Sequence, residues 1–258
     1  MPRNAREKSR TGIYHVVLRG VNQKTIFHDD EDNRRFLTTI ERYKSLFSIK
    51  LYAWCLMGNH AHLLLREGKD GLSSALKRIA ISYVSYYNDK YTTSGHLFQD
   101  RYRSESVEAD DYLLTVIRYI HQNPVKAGIV HEPALWKWSS CPVYYGLKTD
   151  QPDILDESFV LSLFSLNLTE ASAKFKVFNE ERNEIKCLEH FSAIRLTDSE
   201  ARSEVKKLLS SVSPEEVKGM SKTQRNELIR LVKGIEGITQ RQAAEILGVS
   251  QTLISVSK

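Results

Sequence analysis

Apolar and polar positions in the first 130 residues follow two different periods. Apolar positions spaced three and four residues apart predict helices at residues 30–47, 71–89 and 110–122, the last of them ending before Pro124. Alternating or β-branched runs predict strands at residues 13–19, 49–57, 60–66 and 101–108. The order β-α-β-β-α-β, followed by a further helix, is that of a ferredoxin-like sheet. We therefore predict an α+β fold for this part of the chain.

The remainder of the chain is predicted to be all-helical. Residues 148–212 are acidic, helical and short of glycine, and we interpret them as a connector. Three capping-box sequences follow: Ser213–Glu216, Ser221–Gln224 and Thr239–Gln242. Because each marks the start of a helix, they predict a small helical domain over residues 213–258. The predicted organisation is thus residues 1–147, 148–212 and 213–258.

Composition narrows the class of protein. The 258 residues are 41% hydrophobic and 27% charged, which excludes disordered, collagen-like and disulfide-scaffold classes. Polar residues interrupt the most apolar stretch, residues 160–168, so no membrane span is predicted. The first ten residues lack the apolar run of a signal peptide, and the three cysteines lack metal or redox spacing. We expect a cytoplasmic protein with no membrane partner.

Positive charge is concentrated in the first half of the chain. The net charge is +5, and residues 1–130 carry 20 Lys and Arg against 14 Asp and Glu. Four of the first ten residues are basic. A basic arm of this kind either neutralises nucleic-acid phosphates or is a solvated tail that aids solubility.

Two histidines stand one residue apart on a predicted strand. His60 and His62 follow the turn Gly58–Asn59, and alternation along a strand places them on the same face. Two imidazoles so placed can hold a divalent cation and leave other positions for substrate and water. Taken alone, the pattern is also that of two exposed or core histidines, which is the commoner case.

A tyrosine and an asparagine share one stripe of the predicted helix 110–122. Tyr119 and Asn123 are separated by four residues, beside the stripe expected to face the core. In isolation, Tyr119 is interpreted equally well as a residue at the edge of the core. Asn123 is similarly interpreted as a stop before Pro124.

Four stretches, taken together, resemble a known family. Residues 14–20, 57–64, 95–101 and 118–125 are similar to motifs of the IS200-like, single-tyrosine (HUH) transposases, and most similar to those of their REP-associated branch. The resemblance covers residues 11–138 and implies a ferredoxin-like catalytic domain. It implies that His60, His62 and Asn123 bind Mg²⁺ or Mn²⁺ and that Tyr119 is the nucleophile.

The resemblance also implies a reaction and partners. The expected activity is cleavage and strand transfer of single-stranded DNA near a hairpin, through a covalent 5′-phosphotyrosine intermediate, by a monomer or a homodimer. Two alternatives stay open. One is a domesticated DNA-binding regulator that keeps the fold without turnover, and the other is a metal-dependent nuclease that uses water as its nucleophile.

Candidate DNA contacts fall in two regions. Arginines of the arm and of the predicted strands are expected to contact phosphates, with ordinary surface charge as the alternative; they are Arg3, Arg6, Arg10, Arg19, Arg101 and Arg103. Residues 238–255 resemble a helix-turn-helix with its turn at Gly248, and a structural helical cap is the alternative. Its candidates for reading bases are Gln251, Thr252 and Ser255.

Overall fold

The computed structural model describes most of the chain. The described residues are 8–99, 101–181, 187, 196–209, 214–235 and 237–256. The chain divides into two compact units, residues 1–188 and residues 189–258.

The first unit contains one four-stranded antiparallel sheet. Its strands are β1 (Ile13–Arg19), β2 (Lys50–Met57), β3 (His60–Arg66) and β4 (Arg103–Ser106). Its first three helices are α1 (Asp30–Phe47), α2 (Leu72–Lys90) and α3 (Asp110–Lys126). The strands lie in the order β2-β3-β1-β4, with each neighbouring pair antiparallel, and α1 packs against α2. This order confirms the predicted α+β, ferredoxin-like arrangement.

Local chemistry sets the ends of α1. The Asp29 side chain accepts a hydrogen bond from the backbone N–H of Asp32, and three acidic residues occupy the first turn. Lys44 lies in the last turn, so both ends carry charges that favour the helix dipole. The buried face of this helix then packs into the core of the unit through Phe36 and Leu37.

The central strand β3 is buried along nearly its whole length. Residues 61–65 are all buried, because the sheet is covered on both of its faces. A histidine at position 62 therefore lies inside the protein rather than on a solvated surface.

Helix α3 is longer than the sequence predicts. It continues through Pro124 to Lys126, whereas the prediction ended it at Gln122. Proline removes one backbone donor, but the N–H groups of Ala127 and Ile129 donate to the carbonyls of Asn123 and Pro124 and close the last turn. Asn123 is therefore an internal residue of α3 and not its stop.

The helices that follow α3 are shared between the two compact units. The helices α4 (Cys141–Tyr144), α5 (Glu157–Ser162) and α6 (Leu168–Glu180) belong to the first unit, and Val160 and Phe175 are buried in its core. The next helix, α7 (Asp198–Leu209), belongs to the second unit. The predicted connector 148–212 is therefore divided between the two units, because each half buries its apolar residues in a different core.

The second unit is helical in its described residues. After α7 come α8 (Pro214–Gly219), α9 (Lys222–Lys233), α10 (Gln240–Leu247) and α11 (Gln251–Val256). Capping boxes with both reciprocal hydrogen bonds begin α9 at Ser221 and α10 at Thr239, as predicted. The third predicted box begins at Ser213, which lies outside the described residues. The Arg241 guanidinium and the Gln242 amide both contact Asp198, which joins α10 to α7.

In the described part of the chain, every helix is too short or too polar to cross a membrane.

Gly20 lies at the end of β1, where the chain passes very close to itself. Its backbone N–H donates to the carbonyl of Asn59, 2.9 Å away. A Cβ atom at this position would lie 2.1 Å from the carbonyl oxygen of Lys24 and 2.9 Å from Cγ2 of Ile26. We expect Gly20→Ala to lower the free energy of unfolding by about 1–3 kcal/mol, the usual range for overpacking. Denaturant unfolding measures the change.

A matched control for Gly20 lies in the adjacent turn. A Cβ atom at Gly58 would have no atom within 4 Å, and Gly58 does not adopt a positive φ. Gly58→Ala should therefore leave the free energy of unfolding almost unchanged. An equal loss in both variants would show that steric overlap at Gly20 is not the cause.

Candidate active site

The two histidines of β3 lie side by side at the start of the strand. His60 is partly exposed and His62 is fully buried, and their ring centroids are 4.9 Å apart. This contact confirms that both side chains project from the same face. His60 Nδ1 lies 2.6 Å from Oδ1 of Asn59, which accepts a hydrogen bond from that nitrogen, so the lone pair of the ring is on Nε2.

A third histidine completes the cluster. His15 lies on β1 and is fully buried, and its Nε2 is 3.0 Å from Nδ1 of His62. The register pairs Val17 with His62 and His15 with Leu64, so the two histidines are diagonal neighbours on one face of the sheet. The sequence argument missed His15, because a single histidine in an apolar strand carries no local pattern.

Tyr119 packs against this cluster from α3. Its side chain is 2% exposed, and its ring meets those of His15 and His62 edge-on, with centroids 5.9 Å from each. The Nζ atom of Lys126, two turns further along α3, lies 4.7 Å from the centroid of the Tyr119 ring. The Tyr119 ring therefore contacts both the histidine cluster and a positive charge.

Asn123 is placed one helical turn after Tyr119. It is 4% exposed, and its Nδ2 donates to the Tyr119 carbonyl oxygen, 3.2 Å away. Because the amide nitrogen is used within the helix, the amide oxygen is the atom with which Asn123 would contact a cation.

An acid–tyrosine pair lies behind His15. Tyr112, two turns before Tyr119, donates from its hydroxyl to Oε1 of Glu105 at 2.5 Å. The other carboxylate oxygen of Glu105 lies 3.8 Å from Nδ1 of His15. Burial, together with the Glu105 carboxylate, raises the pKa of Tyr112. Tyr112 is thereby held as a protonated donor, which makes it unsuited to be a second nucleophile.

The donor set at this site suits a divalent cation. The Nε2 atoms of His60 and His62 are both buried, and each ring is fixed by a contact through its Nδ1. Orientation of this kind is usual for metal-binding imidazoles. Within the described residues, no group of three or more His, Cys, Asp and Glu side chains has a metal-binding arrangement. The predicted set of two histidines and an asparagine would thus depend on phosphate and water for its remaining ligands.

Comparison with known proteins finds a family match over the part of the chain that carries this site. The model of the IS200-like transposases matches residues 8–123, which include His15, His60, His62, Tyr119 and Asn123. The chain is therefore similar to the IS200-like transposases over these residues.

Two solved structures show similarity to this chain. One is a REP-associated tyrosine transposase bound to a REP hairpin, 20% identical, with 60% of this chain and 94% of that chain covered and a TM-score of 0.48. Another is a candidate transposase from Deinococcus radiodurans R1, 15% identical, with 46% and 96% covered and a TM-score of 0.33. No curated protein shows significant similarity to this chain.

The helix that carries Tyr119 is held in place by residues beyond the family match. The Gln122 amide donates to the carbonyls of Asn179 and Glu181, and Arg118 forms an ion pair with Glu181. His121 lies within hydrogen-bond distance of Asn179 Oδ1, and burial lowers its pKa to about 3. His121 is therefore a neutral residue that holds the structure together.

Two of the predicted DNA-contacting arginines lie on the same face of the sheet as the histidines. Arg19 is directly opposite His60, and Arg103 is opposite Val17, which is in turn opposite His62. Because cross-strand partners share a face, the Arg19 and Arg103 side chains leave the sheet on the same face as the histidines.

The remaining arginines are placed differently. Arg101 precedes β4 rather than lying on it, and it borders a cavity of about 740 Å³ next to α2. The Arg10 guanidinium is 3.5 Å from Glu108, so the end of the arm is tied to the start of α3. Arg3 and Arg6 lie outside the described residues.

The second unit carries the predicted helix pair. Helices α10 and α11 are joined at Gly248, whose φ of 63° is left-handed, as the predicted turn requires. Gln251 and Thr252 are exposed and Ser255 is half-buried. All three candidates are thus placed on the short helix α11.

Proposed function

We propose that this protein is a transposase that cleaves and rejoins single-stranded DNA through a covalent 5′-phosphotyrosine at Tyr119. The observation that carries the proposal is the convergence of His60, His62 and Tyr119. Ring contacts of 4.9 and 5.9 Å join side chains from β3 and α3 into one cluster. The family match over residues 8–123 supports the same conclusion.

The chain's own residues would act as follows. The Tyr119 oxygen attacks the phosphorus, so that a Tyr–O–P bond forms as the bond from phosphorus to the 3′ oxygen breaks. The phenol loses its proton and the departing 3′ oxygen gains one, which balances the step. A phenolate is a better leaving group than an alkoxide, since the phenol pKa is about 10. A DNA 3′-hydroxyl can therefore reverse the step, which suits strand transfer.

His60, His62 and the Asn123 oxygen would hold Mg²⁺ or Mn²⁺. When bound, such an ion supplies charge neutralisation and orientation of the anionic phosphodiester. A tyrosine nucleophile also needs help in losing its proton. Lys126, above the ring of Tyr119, would favour the negative charge that develops on the phenol oxygen.

We propose hairpin-bearing single-stranded DNA as the substrate, as the motif resemblance to the REP-associated branch implies. Arg19 and Arg103 would contact phosphates beside the histidines, since both share their face of the sheet. Arg101, the arm and the α11 residues Gln251, Thr252 and Ser255 would make additional contacts with the DNA. The monomeric or dimeric state and the cytoplasmic location stay predictions.

The experiment incubates the full chain with a panel of hairpin-bearing oligonucleotides and Mg²⁺ or Mn²⁺, followed by denaturing gels. The expected result is a metal-dependent protein–DNA adduct together with a shortened strand that ends in a 3′-hydroxyl. Cleavage without any adduct would favour the water-using nuclease. Binding without cleavage across the panel would favour the regulator, and either result would overturn the proposal.

Lys126 offers a more specific test of the electrostatics. Lys126→Met should slow adduct formation by about 2- to 30-fold, the equivalent of a cation–π contact of about 0.5–2 kcal/mol. Lys126→Arg should retain most of the rate, because it keeps the charge. Single-turnover rates on a labelled oligonucleotide measure the effect.

The control for Lys126 is another lysine over a tyrosine ring. Lys24 lies 5.2 Å from the ring centroid of Tyr87, and neither residue belongs to the histidine cluster. Lys24→Met should leave the rate unchanged. A Lys126→Met rate equal to that of the unmodified protein would remove Lys126 from the reaction.

A further inference from the structure

We propose that His15 is a positioning residue that sets the proton arrangement of His62 and directs the Nε2 lone pair of His62 toward the metal. The inference rests on the proposed function for its metal, but its geometry stands on the described residues alone. His15, Glu105 and Tyr112 form what we term the relay, which ends at His62.

His15 and His62 contact each other through their ring nitrogens. His15 Nε2 and His62 Nδ1 are 3.0 Å apart and buried, so one nitrogen donates and the other accepts. If His62 donates, its proton is on Nδ1 and its Nε2 carries the lone pair that a cation requires. If His15 donates, His62 Nε2 carries a proton and cannot bind a cation.

The Glu105 carboxylate lies near the other ring nitrogen of His15. Glu105 Oε2 lies 3.8 Å from His15 Nδ1, beyond hydrogen-bond distance but close enough for its charge to act. A negative charge there favours a proton on Nδ1 of His15 and leaves His15 Nε2 as an acceptor. The arrangement in which His62 donates is therefore preferred.

A hydrogen bond from Tyr112 holds the Glu105 carboxylate in place. Tyr112 donates to Glu105 Oε1 at 2.5 Å, which fixes the carboxylate between α3 and β1. Tyr112 and Tyr119 belong to the same helix, seven residues apart. One helix thus carries the nucleophile and, two turns earlier, the residue that anchors the relay.

Two measurements test the inference. The first needs no metal: side-chain ¹⁵N NMR of the metal-free protein reports which ring nitrogens are protonated, with His15→Phe and His62→Gln providing the assignments. The expected result is His62 protonated at Nδ1 and His15 protonated at Nδ1. A proton on His62 Nε2 would overturn the inference.

The second measurement is Mn²⁺ affinity by titration calorimetry. His15→Phe keeps an aromatic ring but loses the acceptor, and it should weaken Mn²⁺ binding by about 10- to 100-fold, the usual effect of removing such a partner. His15→Gln can still accept and should recover part of the loss. A folded His15→Phe variant whose affinity is within about twofold of the wild type would overturn the inference.

The control lies on the same strand. Tyr14 donates to Glu67 in a tyrosine–carboxylate pair that faces away from the histidines, so Tyr14→Phe should leave Mn²⁺ affinity intact. If the wild type and His62→Gln bind Mn²⁺ equally, or if neither binds it, the proposed function fails. The NMR result then still decides the proton arrangement, which keeps the two failures distinct.

Discussion

Tyr119→Phe is expected to abolish the covalent protein–DNA adduct and to slow cleavage by a factor on the order of 10³ or more, as removal of a nucleophile does elsewhere. Phenylalanine keeps the ring that packs against His15 and His62 and loses only the hydroxyl. The free energy of unfolding should change by about 1 kcal/mol or less. Denaturing gels measure the adduct, and mass spectrometry of the wild-type adduct should locate the nucleotide on Tyr119.

The adduct and cleavage results for Tyr119→Phe distinguish the three functions considered for this fold. Cleavage that survives in Tyr119→Phe would identify water as the nucleophile and contradict the tyrosine mechanism. Tyr43→Phe is the matched control, because it removes a half-buried phenol from α1 whose ring contacts Phe47 and Arg42 rather than the histidine cluster. Its adduct should form at the wild-type rate.

Periodicity was sufficient to predict the framework of the site. Alternation placed His60 and His62 on one face, and helical spacing placed Tyr119 and Asn123 one turn apart, as their contacts confirm. These relations are local, since each depends only on neighbours within one strand or one helix. The strand order also followed from the order of the elements.

Relations between elements were not predictable in the same way. The contact of His15 with His62 depends on the register between β1 and β3, and the pairing of Tyr112 with Glu105 depends on how α3 packs on β4. A register or a packing angle leaves no mark in the spacing of a single segment.

The contacts that hold α3 in place were not predictable either, because they join residues that are far apart in the sequence. Asn179 and Glu181 contact Gln122 across more than 50 residues, within a segment that composition predicted to be only a connector. Pro124 was read as a helix stop from its chemistry alone. Neighbouring carbonyls and donors compensated for it, which a pattern based on one residue type does not include.

His62→Gln is expected to remove specific Mn²⁺ binding and, with it, metal-dependent cleavage, with a loss of rate on the order of 10³. Glutamine approximates the volume of histidine, so the buried position should stay filled, but the Nε2 ligand is lost. DNA binding measured in the presence of EDTA should be unchanged, because the phosphate contacts proposed for Arg19 and Arg103 do not depend on the ion. Calorimetry and single-turnover cleavage measure the two losses.

A second buried histidine distinguishes a loss of ligand from a loss of fold. His121 is also fully buried, yet it contacts Asn179 and Ser140 rather than the cluster. His121→Gln should lower the free energy of unfolding and keep Mn²⁺ affinity, whereas His62→Gln should lose that affinity while the fold persists. The two variants therefore predict opposite patterns in the same two measurements. If His62→Gln retained both Mn²⁺ affinity and cleavage, the assignment of the β3 histidines as ligands would be wrong.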